Sequence, residues 1–353
     1  MDKLLTIIVP TYNMEQLLDR CLTSLIIEDN DLFKLLEVIV VNDGSKDRSS
    51  EIAHKYESQY PEVFIVIDKE NGNYGSCVNC ALKVATGKYA KMLDADDYYN
   101  TGEFQKFLDR LRNVDVDIVL SDHSEVRGDD ITPLNRTFDD GRIFDITTEQ
   151  DVNDIGLWMT HNIAIKTDIL HDIEYYQTEG ISYTDNEWIF YPLFNAKQCM
   201  YMKLNVYNYV LGRDGQTISP KAAAKGVGAV VKIGLRMIEY YKKFDKSILA
   251  KGQVILLKKY IASLYDYEAK LVFYNLPVSN NRSETFSKLD VALKQLPEIY
   301  DMTGKQCSGH YYYVQYWRKQ YKDMRKTMIY GARELLACCL GRRAYKFKDI
   351  FLL

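Results

Sequence analysis

The chain has 353 residues, longer than a usual single domain, so one large or two medium domains are expected. With 47% hydrophobic and 27% charged residues it is no globally disordered chain, and a net charge of -4 gives no reason to expect nucleic acid as a partner. No window approaches the roughly 18 apolar residues of a membrane span, and the apolar run in the opening MDKLLTIIVP is too short for a signal sequence.

Leu5–Val9 is a continuous, largely β-branched run, as in a strand buried on both faces. Asn13 is placed to cap the next helix, with Gln16 three residues on, and Leu17, Leu18, Cys21, Leu22, Leu25 and Ile26 share one helical face. Val38–Val41 reads as a second strand, and Ser49–Tyr60 as a second helix with Pro61 at its exit. Val63–Ile67 follows as a third strand, Ser76–Ala85 as a third helix closed by Gly87, and Tyr89–Leu93 as a fourth strand. A helix near Glu103–Leu111 and a strand at Ile118–Leu120 complete the series. This alternation predicts βαβ units in an α/β, doubly wound, mostly parallel sheet, whose ligands sit beyond the carboxyl ends of the strands.

Asp129 to Asp154 reads as a polar, irregular loop over the site, Gly180–Phe194 as helix or loop, and Met200–Leu211 as a strand. Beyond Pro220 the pattern becomes helical, with Lys221–Lys225 as the junction and Val230, Ile233, Met237 and Tyr241 on one face. The expected division is therefore 1–220 and 221–353. Seven cysteines are scattered along the chain, and no second pair completes a zinc site with Cys77 and Cys80. They read as helix-packing residues in a reduced, cytoplasmic protein.

Each of the first four strands is followed by a polar, turn-forming segment. These are Pro10-Thr11-Tyr12-Asn13, then Asn42-Asp43-Gly44-Ser45, then Asp68 to Gly75, then Asp94-Ala95-Asp96-Asp97. PTYN stands where a dinucleotide fold would carry its glycine fingerprint, and there is no Walker loop. Phosphate would then be met without a glycine cradle, which leaves a metal ion to neutralise it. On an extended segment Asp94 and Asp96 project to the same side, and their oxygens suit Mg²⁺ or Mn²⁺. Acids at a strand end also cap helices, and the spacing alone does not choose.

TIIVPTYN, VIVVNDGSKDRS, NGNYGSCVNCAL and ATGKYAKMLDADD, in that order, resemble glycosyltransferase family 2, the inverting enzymes of the GT-A fold. The resemblance covers about residues 4–220. It implies that Pro10, Thr11, Tyr12, Asn13 and Asp43 hold the base and ribose of a sugar nucleotide, with Tyr12 stacked on the base, and that Asn71 and Gly75 join them. DADD corresponds to the family's DxD motif. Asp94 would contact ribose or metal, Ala95 lies between, Asp96 would bind the Mn²⁺ or Mg²⁺ that bridges the donor diphosphate, and Asp97 would support the loop. One departure is Val78 where the family often has Arg before Asn79, with Lys69 as a weak substitute.

GISYTDNEW resembles the segment that carries the family's catalytic base. Asp185 matches the base, Glu187 is its runner-up, and Thr184 replaces the usual Glu. His161, Glu187 and Trp188 read as the acceptor site, and Arg213 in VYNYVLGRDGQTIS as a contact to the leaving phosphate. The implied activity is metal-dependent sugar transfer, with a uridine diphosphate sugar the commonest donor. The acceptor would be a hydroxyl of a glycan or lipid-linked molecule in cell-surface polysaccharide synthesis. A nucleotidyltransferase and a silent binding module are the alternative classes. The first should carry a glycine- and lysine-rich loop after strand one, and the second should have lost the DxD or the base. Arg318–Lys348, with ten basic and two acidic residues among apolar ones, fits peripheral contact with the inner face of a plasma membrane, an oligomer interface or a packed helix.

Overall fold

Every residue of Leu5–Val9, Thr6 included, is buried, because its strand meets water on neither side. In the computed structural model the described residues are 2–212, 216, 220–270, 272, 280–303, 314 and 317–319. Its strands are β1 (Leu5–Thr11), β2 (Leu36–Asn42), β3 (Phe64–Asp68), β4 (Tyr89–Met92), β5 (Tyr98–Tyr99), β6 (Ile118–Arg127), β7 (Asp130–Leu134), β8 (Ile143–Asp145), β9 (Ile163–Lys166) and β10 (Gln198–Val210). They form one sheet in the order β3-β2-β1-β4-β9-β6-β10-β5, with β7 on β6 and β8 on β10.

β1 lies parallel to both β2 and β4, and β2 is parallel to β3. Leu5, Ile7 and Val9 face a core shared with Leu18, Cys21 and Leu22, with Ala53 and Tyr56, and with Phe104, Phe107 and Leu108. The helices Leu18–Thr23, Ser49–Gln59 and Thr101–Leu111 thus cover one face, and helix Asn73–Leu82 packs against β1 and β2. The sheet is mixed where the alternation predicted parallel pairing. β9 runs antiparallel between β4 and β6, while β10 returns parallel to β6. Because β9 is reversed, the carboxyl ends of β1 to β4, β6 and β10 all point to one rim. The pairing of β10 with β6 shifts register on either side of Asn205, which re-aims the strand's last residues, Tyr207 to Val210.

Three local expectations are corrected. Asn13 caps no helix: it adopts φ 53°, and the next helix begins only at Leu18. The polar stretch Asp129–Asp154 holds β7, β8 and the helix Glu149–Ile155, because Thr148 caps that helix through Asp151 N–H while Val152 and Ile155 are buried. Lys221–Lys225 lies inside the helix Pro220–Lys243.

Two compact units divide the chain, one of 1–214 with 245–256 and one of 215–244 with 257–353. Within the second, helices Pro220–Lys243, Asn280–Leu293 and Pro297–Met302 and the later turns of Lys251–Lys270 bury Val230, Ile233, Leu264, Phe286 and Leu289. A buried ion pair there joins Arg318 Nε to Asp290 Oδ1 at 2.8 Å. No described helix is long and apolar enough to cross a membrane. Most of Arg318–Lys348 lies outside the described residues, as does Arg213.

Candidate active site

The first three rim segments are fastened to one another by side chains that the sequence marks as turn formers. Asn13 Oδ1 accepts from Lys46 N–H at 2.8 Å, and its own N–H donates to Ser45 Oγ at 3.0 Å. Asp43 is buried, and its N–H donates to Thr11 O at 2.8 Å. Its carboxylate accepts from Lys69 Nζ at 2.6 Å, Gly72 N–H at 2.9 Å and Asn73 N–H at 2.9 Å. Asn71 donates to Asp43 O at 3.0 Å. Lys69 spends its remaining protons on Glu70 O and Ser76 Oγ, so it braces the loop instead of reaching outward as a phosphate contact. Above this scaffold Tyr12 stands 46% exposed, an open ring on the rim beside Pro10 and Thr11.

The fourth segment gathers the acids. Asp97 N–H closes the turn onto Asp94 O at 2.9 Å. Asp97 itself is buried and accepts from the Tyr207 hydroxyl at 2.6 Å and Val210 N–H at 2.7 Å, which pins the DADD loop to β10. Burial and the Asp94 and Asp96 charges push its carboxyl well above the usual range. The Tyr207 hydroxyl also accepts from Asp94 N–H at 3.3 Å. Asp94 is half-buried and takes the Tyr74 hydroxyl at 2.9 Å. Burial, reinforced by the Asp96 charge, pushes Asp94 up to about 7. Ala95 is buried between them, while Asp96 is half-buried and its carbonyl accepts from Arg20 at 3.1 Å.

Asp185 opens the helix Asp185–Phe190 and comes to this rim through a chain of amide and carboxylate contacts. Asn79 clasps Gln177, accepting its N–H at 2.8 Å and donating to its carbonyl at 2.8 Å. Gln177 donates to Thr184 Oγ1 at 2.8 Å. Glu187 accepts from Thr178 N–H at 2.7 Å and Thr178 Oγ1 at 2.9 Å. The Asp185 carboxylate remains solvent-reachable, yet protein encloses it enough to raise its pKa, with the Glu187 charge adding. Its charge is felt by Asp94, Tyr74 and Tyr209, so residues some ninety apart in sequence share one space.

Four expected site residues sit behind this surface. Gly75 is covered by the 177–178 backbone, where a Cβ would lie 2.1 Å from Thr178 O. Its glycine serves close packing, and Val78 beside it is wholly buried. Glu187 and Trp188 are both 0% exposed, Glu187 holding Thr178 and Trp188 edge-on to Tyr175 at 5.5 Å. His161 is buried too, stacked on Tyr207 at 4.9 Å and Tyr209 at 5.2 Å, so it offers no exposed wall to an acceptor.

The sequence reading missed Tyr74, Tyr207, Tyr209 and Lys91. Only the abundance of tyrosine, 28 in all, hinted at half-buried hydroxyl contacts. Lys91 is fully buried on β4, donates to His161 O at 2.7 Å, and is pushed by burial down to about 7. Thr160, on the same turn as His161, donates to Asp185 O at 3.1 Å, so this turn connects the buried lysine with the helix that carries Asp185.

The oxygens of Asp94 and Asp96 are of the kind a hard divalent cation would take. Desolvation together with the Asp96 charge holds the Asp94 carboxyl at about 7, and a cation between the two acids would relieve both. Among the described residues no cluster of three or more His, Cys, Asp or Glu could enclose a metal. A seat of two carboxylates completed by substrate phosphates, as magnesium sites often are, would need no such cluster.

Residues 6–172 match the family described as Glycosyl transferase family 2. The chain is 30% identical over 225 residues to the minor teichoic acid biosynthesis protein GgaB of Bacillus subtilis, covering 62% of this chain and 24% of that one. It spans about a third or less of the curated relatives it matches first. Among solved structures, S. aureus TarS 1–349 in complex with UDP-GlcNAc superposes with TM-score 0.69 at 18% identity, covering 92% of this chain and 90% of that one. The mannosyltransferase PcManGT from Pyrobaculum calidifontis, in complex with GDP-Man and Mn²⁺, superposes with TM-score 0.52 at 14% identity, covering 95% and 88%. These likenesses establish the GT-A fold.

Proposed function

From the match of residues 6–172 to glycosyltransferase family 2 we propose that the protein moves a sugar from a nucleotide-diphosphate donor to an acceptor hydroxyl with inversion. What supports the reading is the gathering of Asp94, Asp96 and Asp185 at one rim, where burial first, and then the charges of Asp96 and Asp185, raise the proton affinity of Asp94. Two of these acids suit a metal–diphosphate end and the third a proton acceptor.

Tyr12, exposed on the rim, would stack on the base, a contact worth about 1–3 kcal/mol by analogy with stacking platforms. Asp43 presents the rigid loop edge beside it, and Pro10, Thr11, Asn13 and Asn71 shape the same edge. Arg213, outside the described residues, would contact the leaving phosphate. Asp94 and Asp96 would hold Mn²⁺ or Mg²⁺, which when bound neutralises charge on the departing diphosphate. Asp185 takes the proton of the attacking hydroxyl as the hydroxyl approaches the anomeric carbon from the face opposite the nucleotide. An ordinary aspartate near 3.9 is a weak base, and enclosure, which raises Asp185, improves it. One displacement of this kind inverts the anomeric centre and leaves no sugar on the enzyme.

A uridine diphosphate sugar as donor is supported by the UDP-GlcNAc complex of TarS, and cell-surface polysaccharide synthesis by the name of GgaB. The acceptor would be a glycan or lipid-linked hydroxyl. The Arg318 side chain is buried against Asp290, and for the rest of 318–348, outside the described residues apart from Lys319, membrane contact, an oligomer interface and a packed helix stay open. The test is a thermal-shift screen of nucleotide sugars with Mn²⁺, followed by turnover of whichever donor stabilises the chain. Asp96→Ala should abolish turnover and keep the fold. Full activity of that variant in the presence of chelator would refute the metal role.

A further inference from the structure

A cavity of about 360 Å³ is lined by His123, Pro133, Leu134, Asn135, Arg136 and Asn162. No lining residue is acidic. Arg136 is half-buried and forms no ion pair among the described residues. Its guanidinium makes only long contacts, 3.5 Å to Ile155 O and 3.3 Å to Leu157 O, which leaves most of its five N–H groups unspent. Asp122 is the nearby acid, but it is 1% exposed and occupied by Arg136 N–H at 3.1 Å and the Tyr201 hydroxyl at 2.5 Å.

His123 adds a second donor by elimination. Asn162 Oδ1 accepts from Met159 N–H at 3.2 Å, which orients its amide. The Asn162 NH₂ then donates to Ser121 O at 3.0 Å and faces His123 Nδ1 at 3.0 Å. An amide NH₂ can only donate, so His123 Nδ1 accepts and Nε2 carries the hydrogen. Burial pushes His123 down to about 4, and the ring is neutral at pH 7. Buried rings link the cavity to the Asp185 side of the rim, which the glycosyl-transfer reading makes the acceptor side. His123 meets His161 at 4.3 Å, His161 stacks on Tyr209, and Tyr209 senses the charges of Asp94 and Asp185.

We propose that this cavity is a phosphate subsite for the acceptor, with Arg136, His123 and Asn135 as the donors. A half-buried guanidinium that forms no ion pair, and whose nearby acid Asp122 is buried and already hydrogen-bonded, is only partly compensated, and an oxyanion supplies the missing charge through charge-assisted hydrogen bonds. The volume admits a phosphate with an attached sugar or polyol unit, whose carbon skeleton Pro133 and the 43%-exposed Leu134 would cover. The proposal rests on the glycosyl-transfer reading, since that reading makes this the acceptor side. The phosphate has two sources, a phosphodiester within the acceptor chain or the diphosphate of a lipid-linked acceptor.

The experiment is calorimetric titration of the full chain, with UDP saturating so that the donor site is filled, by bis(glyceryl) phosphate, geranyl diphosphate and glycerol. At least one phosphate probe should saturate while glycerol does not, and the tighter of the two names the source. Arg136→Met should weaken that probe by at least about tenfold, as loss of a charged hydrogen bond does, with UDP affinity within twofold of wild type. Asn135→Leu, at an exposed residue whose Oδ1 accepts from Asn205 Nδ2 at 3.0 Å, should weaken it several-fold and carries the test if Arg136→Met fails to fold. Failure of both phosphate probes to saturate, or wild-type affinity in the folded variants, would overturn the subsite. Loss of UDP binding with phosphate binding intact would instead sink the donor reading and leave the subsite standing.

Discussion

Replacing Asp94 with asparagine isolates the tension stored in the acidic loop. In the metal-free chain the Asp94 carboxyl stands at about 7, against an ordinary 3.8, because it is desolvated and faces Asp96. An acid that binds its proton more tightly when folded favours the folded state at low pH and loses that advantage as pH rises from about 4 to about 7. Each pH unit weighs about 1.4 kcal/mol, so a full displacement amounts to about 4 kcal/mol; partial exposure and sharing of charge with Asp97 reduce this to about 2–4 kcal/mol. The substituted amide is neutral at every pH, and its oxygen can still accept from Tyr74. In EDTA, urea denaturation at pH 5 should find the two proteins closer in stability than at pH 8, where Asp94→Asn is the more stable by about 2–4 kcal/mol. The same variant should lose Mn²⁺-dependent turnover. A variant less stable than wild type at pH 8 would refute the claim that charge is crowded at this site without compensation.

Asp185→Asn should lower kcat by about 10²–10⁴ and leave donor affinity within about twofold, measured by steady-state kinetics and UDP calorimetry. Because enclosure raises Asp185 and the base must be ionised, wild-type kcat should fall as pH drops through a value above the ordinary 3.8, a limb the variant lacks. Gly75→Ala should cost about 1–3 kcal/mol in denaturation experiments, since its Cβ would drive the 177–178 backbone away; unchanged stability would show that this close approach is not required. Lys91→Met tests a buried cation. A lysine brought from 10.5 to about 7 binds its proton less tightly when folded, so wild-type stability should rise between about pH 7 and 10.5, and the rise should be absent from the variant.

Local pattern was enough to reveal the helix–strand alternation of the first 120 residues, because an apolar run that is buried on both faces and a helix with one apolar stripe look different in any context. It was also enough to find the four polar segments after β1 to β4, since parallel strands deliver their carboxyl ends to one rim whatever the rest of the fold does. The four motifs in order carried the family resemblance. The antiparallel insertion of β9 was not legible, for a strand's own residues do not record the direction of its neighbours. Nor was the order in the Asp129–Asp154 stretch, whose strands are exposed and take their stability from pairing with β6 and β10.

Site assignment divided along the same line. Asp94, Asp96 and Asp185 stand out as types at marked spacings, and in the folded chain the charges of Asp96 and Asp185 both act on Asp94. Gly75, Glu187, Trp188 and His161 look equally functional in one dimension, and only packing turns them inward. Tyr74, Tyr207 and Lys91 have the opposite history: nothing adjacent in sequence predicts a hydroxyl on Asp94, a tether for Asp97 or a lysine without a carboxylate. The sequence by itself determined which chemistry the rim could hold, because residue type sets charge and donor capacity. Tertiary structure alone decided which of those groups are desolvated and which share a space, because both depend on distances between segments that the linear order leaves free.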